Sequence, residues 1–310
     1  MKLMKKLSFA VSKLLIDKKR DFKTIGNKIL VNDCQKIGNY LFKTPMIKGL
    51  ALKGYEVYIL GSKSTLEMAN ENPYIKEVII DNSYRKKSSD IFRNIKTALK
   101  YRDFFDYYIE SVGSMYMRET LLMRLLRPKK IIGIERKDGS TLKLIDIVIK
   151  KQEHLRENGI EILKHFKISE PNCIYDIHLN RHDKYKNLIK KKPLVLYNGL
   201  ASTKSRSIDT DNEKIILDKL STISWIDVKK IEHENSVLDL CSLIKKADLV
   251  VTVDTGITHI ASAFDIPIIV HKSNSSVFPK SSVAIEQSFY DKDLDKTVEE
   301  MLEYIHTISA

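Results

Sequence analysis

The chain is poor in cysteine, glycine and tryptophan: of 310 residues, three are cysteine, eleven glycine and one tryptophan. Cys34, Cys173 and Cys241 lie far apart and form no C-x-x-C pair. That excludes a disulfide scaffold and a zinc ribbon, and fits a reducing compartment. No apolar run reaches the ~18–20 residues that a membrane span needs. The fingerprints G-x-G-x-x-G, H-E-x-x-H and G-x-S-x-G are all missing. The nearest approach to a phosphate loop, Gly49-Leu-Ala-Leu-Lys-Gly54, is followed by Tyr55 instead of Lys-Ser/Thr and falls at the end of an expected helix. It therefore fails on context. Asp291-Lys-Asp293 has the form of a metal-binding pair but follows no expected strand. Charged residues of this kind are common in turns, so neither a metal nor a resident cofactor is expected.

Positive charge, by contrast, is abundant. Lys and Arg number 53 against 40 Asp and Glu, a formal charge of +13. Such a balance suits an anionic partner: nucleic acid, a phosphorylated substrate or an anionic membrane surface. Hydrophobic residues at 43% and charged residues at 30% describe a globular chain,. Its length suits two domains. Residues 1–27 read as a basic amphipathic arm, an uncleaved segment in which Lys13 interrupts the apolar stretch,. On a helix, Leu3, Leu7, Ala10, Val11, Leu14 and Leu15 share one stripe,. Two readings stay open: a helix lying on an anionic membrane, or an arm packed on its own domain.

Strand and helix patterns then alternate. Expected strands are Lys28–Asn32, Glu56–Leu60, Glu77–Ile80, Phe105–Ser111 and Lys130–Gly133. One helix is expected through Leu41–Leu52, ended by Gly54 at C′. Others follow at Leu66–Asn70, Ile91–Tyr101 and Arg118–Leu126. A basic stretch, Asn180–Lys192, interrupts the alternation as a solvated helix or a linker. Beyond it come strands Leu194–Tyr197, Leu249–Val253 and Pro267–Val270, and helices Asn212–Leu220, Val237–Lys246 and Thr258–Phe264. A terminal helix covers Val298–His306. Repeated βαβ units mean parallel sheets, here two doubly wound Rossmann-like domains with a cleft between them.

The most informative segment is 247–274. A strand of buried character, Leu249–Val253, runs into Asp254-Thr255-Gly256, where a helix opens. Ligands of open α/β sheets sit outside the carboxyl ends of strands. Backbone N–H groups at a helix start attract phosphate. Gly256 permits close approach, Thr255 and Thr258 add hydroxyls, and His259 is placed to share the crevice. The plainer alternative makes Asp254 a helix cap and His259 a packing residue.

Asp254-Thr-Gly-Ile-Thr-His259, with Ile260-Ala-Ser-Ala263 and Pro267, resembles the D-T-G-x-x-H-x-A-x-A…P signature of glycosyltransferase family 9, the ADP-heptose:lipopolysaccharide heptosyltransferases. Ile29-Leu-Val, Ile37-Gly38-Asn39, Thr44-Pro45 and Leu50 are similar to that family's opening strand, I-G-D loop and T-P helix. Asn72-Pro73-Tyr74-Ile75 and Glu77-Val78-Ile79 resemble its N-P-Y-I-D-x-V-I segment. The likeness implies a GT-B fold: an acceptor-binding N-terminal domain at 28–180, a linker at 181–193 and a nucleotide-sugar domain at 194–290. A terminal helix at 291–310 would pack back on the first domain. It also implies inverting, metal-independent transfer of heptose from ADP-heptose, as co-substrate, to a lipopolysaccharide core or related surface glycan. The implied location is the cytoplasmic face of the inner membrane, as a peripheral protein, with a lipid-linked glycan acceptor as partner.

Glycosyl transfer builds negative charge on the departing diphosphate, and donors aimed at that charge supply much of the catalysis. Thr255 and Gly256 are candidates, together with Lys204 or Arg206 of the loop Asn198–Arg206, where Arg206 fits the family spacing slightly better. Gly38, Asn198 and Glu232 join Asp254, Thr258 and His259 as substrate-binding candidates, Glu232 toward a ribose hydroxyl. One departure matters: the aspartate that serves as general base in the family's I-G-D loop is Asn39 here, and an amide is no useful proton acceptor. Asp33 is the nearest replacement, unless it is a loop carboxylate capping local N–H groups. Asn39 keeps the capacity to orient the acceptor. Rival readings are a degenerate GT-B protein that binds nucleotide sugar or a partner without turnover, a family 9 transferase with another donor, and a nucleic-acid binder. The last has only the net charge behind it.

Overall fold

The computed structural model describes residues 26–33, 36–62, 65–80, 95–111, 117–136, 139, 141–180, 183–202, 204–232, 236–272, 284–288, 299, 302–303 and 305–307, with Ala10 and Asp17. The chain divides into two compact units, Met1–Asn172 and Cys173–Ala310.

The first unit runs β1 (Lys28–Asp33), α1 (Ile37–Leu41), α2 (Thr44–Leu52), β2 (Glu56–Gly61), α3 (Leu66–Glu71), β3 (Glu77–Ile80), β4 (Tyr107–Glu110), α4 (Met117–Leu126), β5 (Lys130–Ile134), β6 (Ile147–Ile149) and α5 (Leu155–His165). Residues 95–100, between β3 and β4, are also helical. The sheet order is β3-β2-β1-β4-β5-β6, and every pair is parallel. Ile29, Leu30 and Val31 are each fully buried. Successive strand residues point to opposite faces, so both faces of β1 are covered, as a parallel sheet requires.

The single helix expected over 41–52 is broken in two. A continuous helix needs the residue-45 N–H to bond the Leu41 carbonyl, and Pro45 has none. The Thr44 hydroxyl donates to the Leu41 carbonyl instead, at 2.8 Å, and Pro45 sits in the first turn of a new helix, where its missing N–H costs nothing. Gly54 does end α2, with φ +96°. β6 and α5 lie outside the expected pattern. α5 carries Asn158-Gly159 on its buried side, which hides its amphipathic period. That glycine is a packing device: a methyl group there would come 3.2 Å from Met46 Cβ.

The second unit runs β7 (Leu194–Asn198), α6 (Thr210–Ser221), β8 (Asp227–Lys230), α7 (Val237–Ile244), β9 (Leu249–Val253), α8 (Gly256–Ala263), β10 (Ile268–Lys272) and β11 (Ala284–Ser288), with a 3-10 turn at Lys204–Arg206. Its order is β11-β10-β9-β7-β8, again parallel throughout. Val195, Tyr197, Leu220, Val251 and Ile269 form its core.

Three observations bear on the expected organisation. Residues 183–193 are irregular and dock on α7: the Ser242 hydroxyl donates to Asp183 at 2.5 Å and accepts from the Tyr185 N–H at 2.9 Å. The described part of the terminal helix, expected to return to the first domain, instead puts Ile305 in the second unit's own core, with Leu302 packed against it. Of the N-terminal arm, Asp17 is buried and its carboxylate accepts the Leu144 N–H at 2.7 Å, a packed contact within the first unit. Asp291-Lys-Asp293 and Cys34 lie outside the described residues, as do residues 91–94 of the expected helix over Ile91–Tyr101.

Candidate functional site

Each sheet reverses its winding at one point, between β1 and β4 in the first unit and between β7 and β9 in the second. Such switch points open a crevice at the carboxyl ends of the strands, where ligands of doubly wound sheets bind. The expected site residues gather at these two places.

In the second unit, β9 ends at Val253 and α8 begins at Gly256, with two residues between them. Thr255, and not Asp254, is the helix cap. Its hydroxyl accepts the Ile257 N–H at 3.3 Å, and Thr258 reciprocates by accepting the Thr255 N–H at 3.4 Å, a closed capping box,. The Gly256 N–H between them has no acceptor among the described residues. Asp254 is thereby released from capping. Arg206 reaches it from the 3-10 turn: its Nη1 donates to the Asp254 carbonyl at 3.4 Å and lies 3.8 Å from the carboxylate. The guanidinium also donates to the Ser202 hydroxyl at 3.0 Å. Of the two basic candidates, the structure brings Arg206 to this place; Lys204 is exposed.

Asn198 secures the loop that carries Arg206. It is buried at the end of β7. Its amide donates to the Leu200 carbonyl and, across to β9, to the Thr252 hydroxyl, both at 3.0 Å. His259 is buried on α8 and meets the Tyr175 ring edge-to-face at 5.7 Å. Glu232 is exposed just beyond β8. His271, beside Val253 on β10, is 2% exposed, and burial pushes its imidazole well below the ordinary 6.5. Neutral histidine floors this corner, so the local positive charge comes from Arg206 and the start of α8. A backbone amide at a helix start and a planar guanidinium are the kinds of group that bind phosphate in other proteins.

In the first unit, the switch point is lined by Asn32 and Asp33 of β1 and by Glu110 and Ser111 at the end of β4. Asp33 is fully buried and pairs with Lys43 Nζ at 2.5 Å. Burial pushes its carboxyl above the ordinary 3.8, and the Lys43 ammonium works in the opposite direction,. Neither expected reading of Asp33, a cap or a carboxylate on the rim, describes a residue so enclosed. Glu110, 1% exposed, accepts a hydrogen bond from the Asn32 amide. The buried Asn158 amide donates to the Ser111 carbonyl at 3.4 Å. Gly38 and Asn39 sit half-buried on α1. Sequence reasoning missed Lys43 and Glu110. Lysine is almost never buried unless paired, and nothing in the order of residues announces a partner ten positions away. Glu110 had one available signal: it closes an apolar strand at the same sheet end as Asp33.

Two parallel, doubly wound sheets, each with polar groups at its switch point, make an α/β architecture of the GT-B type. Solved structures agree on the fold. A glycosyltransferase family 9 protein from Veillonella parvula matches with a TM-score of 0.74 and 13% identity, over 93% of this chain and 98% of that one. The Escherichia coli heptosyltransferase WaaC, solved with ADP-2-deoxy-2-fluoro heptose, matches at 0.71 and 14%, over 90% and 99%. E. coli ADP-heptose lps heptosyltransferase II matches at 0.66 and 15%, over 91% and 100%. In sequence, the model of glycosyltransferase family 9 (heptosyltransferase) matches residues 229–271. That segment runs from the end of β8 through the Asp254–Gly256 turn to β10. The E. coli (strain K12) protein named "Putative lipopolysaccharide heptosyltransferase 4" is 24% identical over 302 residues, 89% of this chain and 80% of its own length. The glycosyltransferase family 9 (heptosyltransferase) match at 229–271, the relative in E. coli and the solved structures thus all point to the same family.

Proposed function

We propose that the protein transfers heptose from ADP-heptose, with inversion, to a hydroxyl of a lipopolysaccharide or lipooligosaccharide core. The observation that carries this reading is the Arg206–Asp254 contact beside the open Gly256 amide. In this reading, the donor diphosphate lies at the start of α8 and accepts from Gly256 N–H and the Arg206 guanidinium. As the glycosidic bond breaks, charge grows on the diphosphate, and these fixed donors bind it more strongly than the ground state. Asp254 holds the guanidinium in place; Asn198 holds the loop that supplies it. Glu232 reaches the ribose, and Thr258 and His259 shape the crevice. The reaction needs no metal, because Arg206 and the helix start supply the positive potential.

The acceptor hydroxyl must lose a proton. With Asn39 unable to take it, Asp33 is the proposed base, with Asn39 and Gly38 orienting the acceptor. A carboxyl raised by burial is a stronger base near neutrality,. A second reading has a specific observation behind it: Asp33 is wholly enclosed and engaged by Lys43, as in a chain that binds nucleotide sugar without turnover. The location proposed for the working enzyme is the cytoplasmic face of the inner membrane. No helix among the described residues is long and apolar enough to cross a membrane.

Thermal-shift titration with ADP-, UDP-, GDP- and CMP-sugars tests the donor. A selective ligand at ~100 times its dissociation constant adds about 2.7 kcal/mol of stability. Stabilisation by the ADP sugar alone supports the reading, and stabilisation by another sugar nucleotide instead replaces the donor. Turnover that survives in both Asp33→Asn and Asn39→Asp removes Asp33 as base. Donor binding with no transfer and no hydrolysis favours the second reading.

A further inference from the structure

The second unit carries a surface that the transfer chemistry leaves unused. Residues 186–192, Lys-Asn-Leu-Ile-Lys-Lys-Lys, are exposed without interruption. Ile189 is 87% exposed and Leu188 41%. Behind them lies a groove of about 430 Å³, walled by Tyr185, Leu194, Ile226, Lys229 and Leu243. Two exposed aliphatic side chains just past a turn, flanked by lysines and backed by a groove, do not suit water alone,.

The lysines are not all engaged. Lys190 holds Asp248 at 2.7 Å, and Lys192 donates to the Ser224 carbonyl. Lys186 and Lys191 have no ion partner among the described residues. The patch lies where β7 and β8 begin, at Leu194 and Asp227; the proposed Arg206–Gly256 phosphate receptor lies at the opposite end of the same sheet. A partner on the patch therefore leaves the receptor open.

We propose that residues 186–192 dock the second unit onto an anionic lipid bilayer, Leu188 and Ile189 entering the interface and Lys186 and Lys191 meeting the head-group phosphates. Interfacial anchors combine these two elements, buried aliphatic area and cations facing anionic lipid. Nucleic acid fits less well. Single-strand binders offer aromatic faces for stacking, and the one aromatic ring here, Tyr185, is already taken by Lys184 and Lys229 at 5.1 and 5.5 Å. This inference goes beyond the proposed reaction and does not depend on the identity of the donor.

Co-sedimentation of the full chain with vesicles of phosphatidylcholine, and of phosphatidylcholine mixed with phosphatidylglycerol, tests it. Binding is expected only to the mixed vesicles. Lys186→Gln with Lys191→Gln weakens partitioning by about 25-fold, near fivefold for each charge at such a surface. Leu188→Ser with Ile189→Ser weakens it by about tenfold or more, from the apolar area no longer buried. Both variants sit far from the receptor and keep the wild-type thermal shift with ADP, which separates failure of docking from failure of the transferase reading. Equal binding to both vesicle types overturns the proposal. So does unchanged binding of both variants, which would place any membrane contact in another segment. Loss of oligonucleotide binding in the lysine variants with vesicle binding intact overturns it in favour of nucleic acid.

Discussion

The two switch points of this molecule are built on opposite principles. In the first unit the charges face inward: Asp33 is fully buried against Lys43, and Glu110 is enclosed with Asn32. In the second unit the charge faces outward: the Arg206 side chain is 31% exposed, and its carboxylate partner lies 3.8 Å away. A tight buried pair fixes a backbone and resists change. A loose, part-exposed guanidinium beside an unsatisfied amide remains available to a ligand. The same kind of switch point thus encloses its charges in one unit and leaves them part-exposed in the other, where the proposed reading puts the donor phosphates. The contrast explains why the first unit reveals its chemistry less readily: Asp33 and Glu110 are enclosed, each held by a partner inside the unit.

Perturbations should separate the two. The largest effect belongs to the buried pair. Lys43→Met strands the Asp33 carboxylate and costs about 3–5 kcal/mol; Lys43→Met with Asp33→Asn recovers most of it. Chemical denaturation followed by circular dichroism measures both. Trp225, the one tryptophan, lies in the second unit, so its fluorescence midpoint should move little. If both probes shift equally, the units unfold together and the contrast in rigidity is lost.

Next comes Arg206→Ala. Loss of charge-assisted hydrogen bonds lowers ADP affinity by about 10- to 100-fold. Global stability changes by less than about 1 kcal/mol, because the pair is loose and part-exposed. Lys204→Ala leaves ADP affinity within about twofold. Calorimetric titration decides, and the reverse ranking would put Lys204 at the phosphate.

The third effect is one of pH. His271 stays neutral in the folded state, whereas the unfolded chain takes up its proton near 6.5. The unfolded state then binds more protons, so second-unit stability is full above 6.5 and falls as pH drops below it, by up to about 1.4 kcal/mol per pH unit. His271→Phe flattens this slope in the Trp225 signal. In the first unit, burial pushes the Asp106 carboxyl up, but Lys129 at 2.7 Å and the N–H groups of Lys28 and Gly26 outweigh burial and hold it below 3.8. Its contribution is full above that value and is lost only as pH falls further. The smallest effect is Thr255→Ala, which removes a helix cap at about 1 kcal/mol and also weakens ADP binding.

Much of this was legible in the residue order, for identifiable reasons. A buried parallel strand is a continuous apolar run, so β9 falls at its expected bounds,. The Asp254-Thr255-Gly256 turn advertises itself because a strand cannot pass into a helix there without a cap. What stayed hidden depends on contacts distant in sequence. Lys43 reads as a surface lysine until the fold brings Asp33 against it. Arg206 and Lys204, two residues apart, differ in sequence only by a slightly better family spacing for Arg206, until the 3-10 turn sends Arg206 to Asp254. Pro45 shows the intermediate case: the missing N–H was visible, but its consequence, two helices in place of one, needed the Thr44 hydroxyl to take the abandoned carbonyl.

The central claim is that the donor's diphosphate rests where β9 gives way to α8. A structure of the ADP complex tests it most directly. The account predicts phosphate oxygens within hydrogen-bonding distance of Gly256 N–H and the Arg206 guanidinium; phosphates bound away from both groups would contradict it.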